Sequence, residues 1–223
     1  MMELPFTVGE FLDLFVRYNR QIFPIQFIAY ILGLFAVFVA WRKFRHGTRI
    51  IAGILGLFWV WNGVMYHMVF FSSINRAAVF FGFLFVLQGL LFIFSGVYLT
   101  RLQFEFNPRQ ATDWIGLGII AYGMMIYPLL GVAFGHVYPA APVFGVAPCP
   151  TTIFTFGLLI WSTNRLPKWL LVIPVLWAVI GTSAALNLGV YEDFGLPLAA
   201  VISLAAILLT ERKMGSAVGK ATV

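Results

Sequence analysis

Residues 77–100 read AAVFFGFLFVLQGLLFIFSGVYLT, with no Asp, Glu, Lys or Arg anywhere between Ala77 and Thr100. A helix needs about 20 apolar residues to cross the hydrocarbon of a bilayer, and this stretch supplies them. The pattern recurs along the chain. Spans are drawn at 22–41, 50–71, 77–100, 112–134, 150–164, 167–187 and 194–210, the fifth being short and bounded by prolines. Of the 223 residues, 61% are hydrophobic and only 10% charged, and mean hydropathy is +0.95. A soluble domain carries about 25% charged residues, so a water-soluble fold has too few to cover this apolar surface. The expected fold class is all-α: an integral membrane helical bundle of seven transmembrane helices, one domain over 1–223, with the lipid bilayer as its main partner.

The formal charge of +6 would suit nucleic acid, but the placement of the basic residues excludes it. Arg42, Lys43, Arg45, Arg49, Arg101, Arg109, Arg165, Lys168, Arg212, Lys213 and Lys220 all fall in alternate loops or the tail. Only Arg17, Arg20 and Arg76, of 14 Lys and Arg in all, fall on the opposite side. By the positive-inside rule the N-terminus is outside and the C-terminus cytoplasmic, in a multi-pass protein of the cytoplasmic membrane. The N-terminus lacks a basic leader, an apolar core and a small-residue cleavage site, so no cleavable signal peptide is expected. The single cysteine, Cys149, rules out an intramolecular disulfide.

Before the first span, Thr7 and Glu10 have capping-box spacing. Val8, Phe11, Leu12 and Phe15 follow at i, i+3, i+4 and i+7, which predicts an amphipathic interfacial helix over 8–19. A loose internal repeat relates Pro24 and Gly33 to Pro148 and Gly157, and Trp61-Asn62-Gly63 to Trp177 and Gly181. It suggests a parallel 3+1+3 arrangement with the fourth span as connector. Gly53 with Gly56, and Gly116 with Gly118, permit close helix approach.

No Asp, Glu, Lys or Arg falls mid-span, which argues against a retinal Schiff base, a proton relay of buried carboxylates, or an intramembrane protease. The polar residues gather toward the outer face: Tyr66-His67, Asn75, Tyr127-Pro128, His136, Tyr138, Pro148-Cys149-Pro150-Thr151-Thr152, Asn187, Glu192 and Asp193. Prolines in the loop between spans four and five predict an ordered cover rather than a slack linker. His67, His136 and Cys149, with Glu192 or Asp193 as a further ligand, are suitable for a soft metal, and the two histidines for haem, although no short ligand spacing joins them. A solute path could be lined by Trp59, Trp61, Asn62, Tyr66, Gln88, Tyr122 and Tyr127. The same aromatics would fill any helix bundle, and Trp59 and Trp61, one residue apart, cannot both face a pore. Thr151, Thr152 and Thr155 by default bond back to helix carbonyls.

The chain resembles an uncharacterised family of bacterial polytopic membrane proteins. The resemblance runs nearly full length through Glu3-Leu4-Pro5-Phe6-Thr7, Trp61-Asn62-Gly63 with Tyr66-His67, Tyr127-Pro128, Gly135-His136 and the run PCPTTIFTFG from Pro148 to Gly157. Arg76 stands where that family's pattern has proline. The resemblance implies membrane residence and one full-length domain, and no established activity.

The sequence therefore reads first as a small-solute channel or facilitative transporter. Its outer cluster would comprise His67, Tyr127, His136, Cys149 and Thr152, with Asn62, Tyr66, Gln88 and Tyr122 deeper. The alternatives are a non-catalytic assembly subunit of a membrane complex and an outer-face metal-binding or redox protein. No catalytic residue and no cofactor is implied, and outward-facing aromatics would favour a homo-oligomer. A transporter should gather Asn62, Gln88 and Tyr122 around one cavity, whereas a subunit should scatter them into helix contacts.

Overall fold

The computed structural model describes residues 5–221, with side chains through Glu211. Glu3 and Leu4 of the family motif, and the side chains of Arg212, Lys213 and Lys220, lie outside the described residues. Eight helices and no strand form among the described residues. They are α1 (Val8–Gln21), α2 (Ile25–Arg42), α3 (Gly47–Ser73), α4 (Ala78–Tyr98), α5 (Ala111–Ala133), α6 (Pro148–Ile160), α7 (Trp169–Leu188) and α8 (Gly195–Ala221), the last preceded by a 3₁₀ turn, Tyr191–Phe194. Six of them, α2, α3, α4, α5, α7 and α8 with its leading turn, are long and apolar enough to cross a membrane. Large apolar side chains such as Phe27, Ile31, Val179 and Val201 point outward, exposed by 63–67%. A hydrocarbon solvent accepts such a surface where water does not.

The predicted fifth span, 150–164, is the 13-residue helix α6. At 1.5 Å per residue it is roughly 20 Å long, short of the ~30 Å hydrocarbon core. It is also the axis of the bundle. Every residue from Pro148 to Ile160 except Cys149 is buried, as expected of a helix apolar on all faces. Its threonines turn inward onto their own helix: Thr151, Thr152 and Thr155 hydroxyls donate to the carbonyls of Ala147, Pro148 and Thr151 at 2.7, 2.9 and 2.8 Å.

Glycine lets the helices approach. Gly56 lies against Gly89 and Gly63 against Gly82, locking α3 antiparallel to α4, and Gly116 lies against Gly157 where α5 meets α6. Gly53 and Gly118 have open space where a side chain would stand, so of each glycine pair noted in the sequence only one member serves the packing. The two helix triplets are assembled differently. The first is closed by α3 on α4, while in the second α6 packs on α5 and α8.

Three helices carry π-helical turns: Asn62–Phe70 in α3, Phe94–Tyr98 in α4 and Tyr122–Ile126 in α5. The turn in α3 begins at Asn62, whose side-chain amide donates to the Phe58 carbonyl at 2.8 Å, the same acceptor its backbone N–H uses.

The capping box of α1 forms as the sequence predicts. The Thr7 hydroxyl accepts from the Glu10 N–H at 3.2 Å, and the Glu10 carboxylate accepts from the Thr7 N–H at 2.8 Å. That bond is the main reason the Glu10 carboxyl is held below its ordinary value. The apolar stripe of α1 is turned onto the bundle. Phe11 packs on Phe71, and Phe15 and Tyr18 pack on Tyr66. Tyr18 is buried, which pushes its phenol well above the usual range; its hydroxyl donates to the Val146 carbonyl at 2.7 Å and accepts from Trp61 Nε1 at 2.9 Å.

The loop over 134–147 is an ordered cover, as its prolines predict. Asn19 donates to the Pro139 and Ala141 carbonyls at 2.7 and 2.8 Å, and Phe144 is buried between Phe58 and Phe154. This loop, α1, the C-terminal ends of α3, α5 and α7, and the N-terminal ends of α4, α6 and α8 meet at one end of the bundle.

Candidate functional site

At this α1 end lies a cavity of about 560 Å³. The π-helical end of α3 presents Tyr66 to it, α1 presents Phe11 and Phe15, and α7 presents Trp177 and Gly181. Tyr127 comes from α5, Cys149 from the start of α6 and Asp193 from the turn before α8. Of its lining residues, Pro5 before α1, Ala77 at the start of α4 and Val179 on α7 are exposed, so its mouth is bordered by these elements.

Most of the wall is apolar, so the few polar groups on it define its chemistry. The Tyr127 hydroxyl donates to Asp193 Oδ1 at 2.5 Å, and both residues are buried. Asp193 also faces the Cys149 thiol. Trp177 Nε1 is buried without an acceptor. Immediately behind, Glu192 is fully buried, with Oε1 2.9 Å from His136 Nδ1 and Oε2 unpartnered among the described residues. Its backbone carbonyl accepts from the Tyr122 hydroxyl at 2.8 Å.

Of the residues picked from the sequence, Tyr66, Tyr127 and Cys149 line this cavity together; Asn62, His67, Gln88, Tyr122, His136 and Thr152 do not. Asn62 donates to the Phe58 and Gly145 carbonyls at 2.8 and 3.1 Å, and Gln88 to the Leu170 carbonyl at 3.0 Å. Both therefore join helices and loops to one another. His67 is fully buried among Tyr66, Phe85 and Trp177, its ring nitrogens unpartnered. Trp59 stacks on Phe85 and donates to Thr155 Oγ1 at 3.0 Å; neither it nor Trp61 reaches the cavity. His67, His136 and Cys149 do not converge, and among the described residues no three His, Cys, Asp or Glu side chains form a group fit to hold a metal.

Asp193, part of the outer-face polar cluster, also lines the wall, as does Trp177, which the sequence marks only through the loose repeat. The sequence places Glu192 and Asp193 in the loop between the last two spans, and the structure buries both at the end of the bundle. The available signal was two adjacent acids at the head of an apolar span on the side poor in basic residues, where nothing nearby in sequence neutralises them.

Fold and cavity together define a helical protein with membrane-spanning helices and an apolar, acid-tipped pocket at one end. The chain belongs to the family of unknown function DUF6064, which matches residues 8–217. No curated protein and no solved structure matches it.

Proposed function

We propose that this is a seven-crossing protein of the cytoplasmic membrane, α1 end outward, that binds a small, mostly apolar solute in the cavity at that end. The cavity is the observation that carries the reading. Its volume falls within the roughly 300–1,000 Å³ range of small-molecule sites, and such sites are apolar with a few placed polar groups. Its mouth beside the outward-facing Val179 suits a solute arriving through the bilayer. The seventh crossing is α6. It runs antiparallel to α5, with Gly123 beside Pro150 and Gly116 beside Gly157 and Trp161. Irregular backbone at its ends is tolerable at membrane depth because protein covers it. The charge asymmetry of the loops supports the orientation. The 3+1+3 repeat draws no support from the packing of the two triplets.

Binding fits the geometry better than conduction. Trp59, Phe85, Phe92 and Phe154 are buried and tightly packed beneath the cavity, so facilitated passage would require that layer to open. One observation favours a second reading, an assembly subunit of a membrane complex: Asn62, Gln88 and Tyr122 are distributed into inter-element contacts rather than around one path.

The test is Ala184→Phe, which places a ring in the cavity from α7. Wild-type protein in lipid nanodiscs should be thermally stabilised by members of a panel of small apolar solutes, and the variant should lose that response while remaining folded. A variant stabilised as strongly as wild type, or a wild type that responds to nothing in the panel, would refute a ligand site here.

A further inference from the structure

The cavity wall is acidic and has no basic counterpart. Among the described residues Asp193 is the only ionisable carboxylate on it, and no Lys, Arg or His lines it. Asp193 Oδ1 takes the Tyr127 hydroxyl at 2.5 Å, while Oδ2 accepts no N–H or O–H among the described residues. The neighbouring Glu192 does not relieve this. It is engaged by His136, which contacts Glu192 and not Asp193. A buried carboxylate without a cation is costly, and a paired one much less so. The rest of the wall is rich in aromatic rings: Phe11, Phe15, Tyr66, Phe81 and Trp177. The Tyr66 hydroxyl is buried and makes no hydrogen bond among the described residues, so its oxygen is open to the cavity. Ring faces together with a carboxylate are the chemistry that recognises an ammonium group on an apolar body.

We infer that the occupant of the cavity is an organic cation, an ammonium-type headgroup set against Asp193 with its apolar portion among the aromatic walls. This rests on the cavity being a ligand site, and the experiment separates the two claims. Octyltrimethylammonium, 1-octanol and octanoate share a chain length and differ in headgroup charge. Each is titrated calorimetrically into the full chain in nanodiscs, with empty nanodiscs subtracted.

The cation should bind about tenfold tighter than the alcohol, with octanoate weakest. Asp193→Asn should remove that advantage and leave octanol unchanged. Octanol binding as tightly as the cation, or octanoate binding best, overturns the cation assignment and leaves the cavity reading intact. If none of the three binds, both fall. Should the Asn variant not fold, the ranking of the three probes on the wild-type chain decides the matter alone.

Discussion

Gly157 is the point where the central helix α6 touches α5, and it offers a sharp test of the packing. A methyl group built at Gly157 stands 2.7 Å from the Gly116 carbonyl oxygen and 3.0 Å from the Ile120 nitrogen. Both neighbours are backbone atoms, which cannot rotate away as a side-chain tip can. Ordinary contact begins near 3.4 Å, so Gly157→Ala must separate the helices by roughly 0.7 Å. A gap of that size forfeits a quarter to a half of each dispersion contact along the seam, and overpacking of this kind costs about 1–3 kcal/mol. Gly118, one turn along α5 from the Trp114–Ile115 surface, is the control. A methyl there meets nothing within 4 Å, and Gly→Ala in a helix gains up to about 1 kcal/mol from propensity. At 2–4 °C per kcal/mol for a chain of this size, the two variants should melt about 5–10 °C apart. Thermal unfolding followed by tryptophan fluorescence in one detergent reads the difference. If Gly157→Ala and Gly118→Ala melt together, the close approach of α5 and α6 is not there.

Two further outcomes follow from the same end of the bundle. His136→Ala leaves the Glu192 carboxylate buried with neither oxygen paired, which should destabilise the protein by about 3 kcal/mol; adding Glu192→Leu should recover most of that loss in the same melt, and no recovery would show that His136 acts other than through Glu192. The Glu10 cap should be pH-dependent. Its carboxyl is depressed in the folded state, so its contribution is complete above the ordinary value of 4.5 and lost as pH falls through the lower folded value. Hydrogen exchange in the first turn of α1 should therefore quicken with acidification, once corrected for the intrinsic rate, and Glu10→Gln should abolish the change.

The helical spans were legible because the length of an apolar run is a direct physical constraint in lipid. Their predicted bounds differ from the observed helix ends by a few residues, the expected scale for fraying helix ends, except that α8 continues past the predicted 210 to Ala221. Other features depend on tertiary contacts that spacing does not encode. Glycine spacing marked Gly53 and Gly56 equally, but only Gly56 faces α4. The π-helical turn of α3 begins at Asn62, whose polar side chain could be seen while its contacts with the Phe58 and Gly145 carbonyls could not. The amphipathic stripe of α1 was readable, but whether it would meet lipid headgroups or Tyr66 was not. Glu192 and Asp193 were visible as loop acids, but their burial was not. A span-terminal turn such as Tyr191–Phe194 becomes interior when α5 and the loop after it fold over the end of the bundle.

The size of the cavity adds an independent reason to expect an occupant. Unfilled space in a packed protein costs about 24 cal/mol per Å³, so 560 Å³ left truly empty would cost on the order of 10 kcal/mol. That rivals the whole stability of a typical domain, about 5–15 kcal/mol, so the space has to be filled by water, lipid or a ligand. Water is a poor filler, because each buried molecule wants about three hydrogen-bond partners and this wall is mostly aliphatic and aromatic. A lipid chain entering between α4 and α7 would satisfy the apolar wall and bring Asp193 Oδ2 no N–H or O–H donor. An occupant that is apolar along its body and carries a donor or positive charge at one end satisfies both at once.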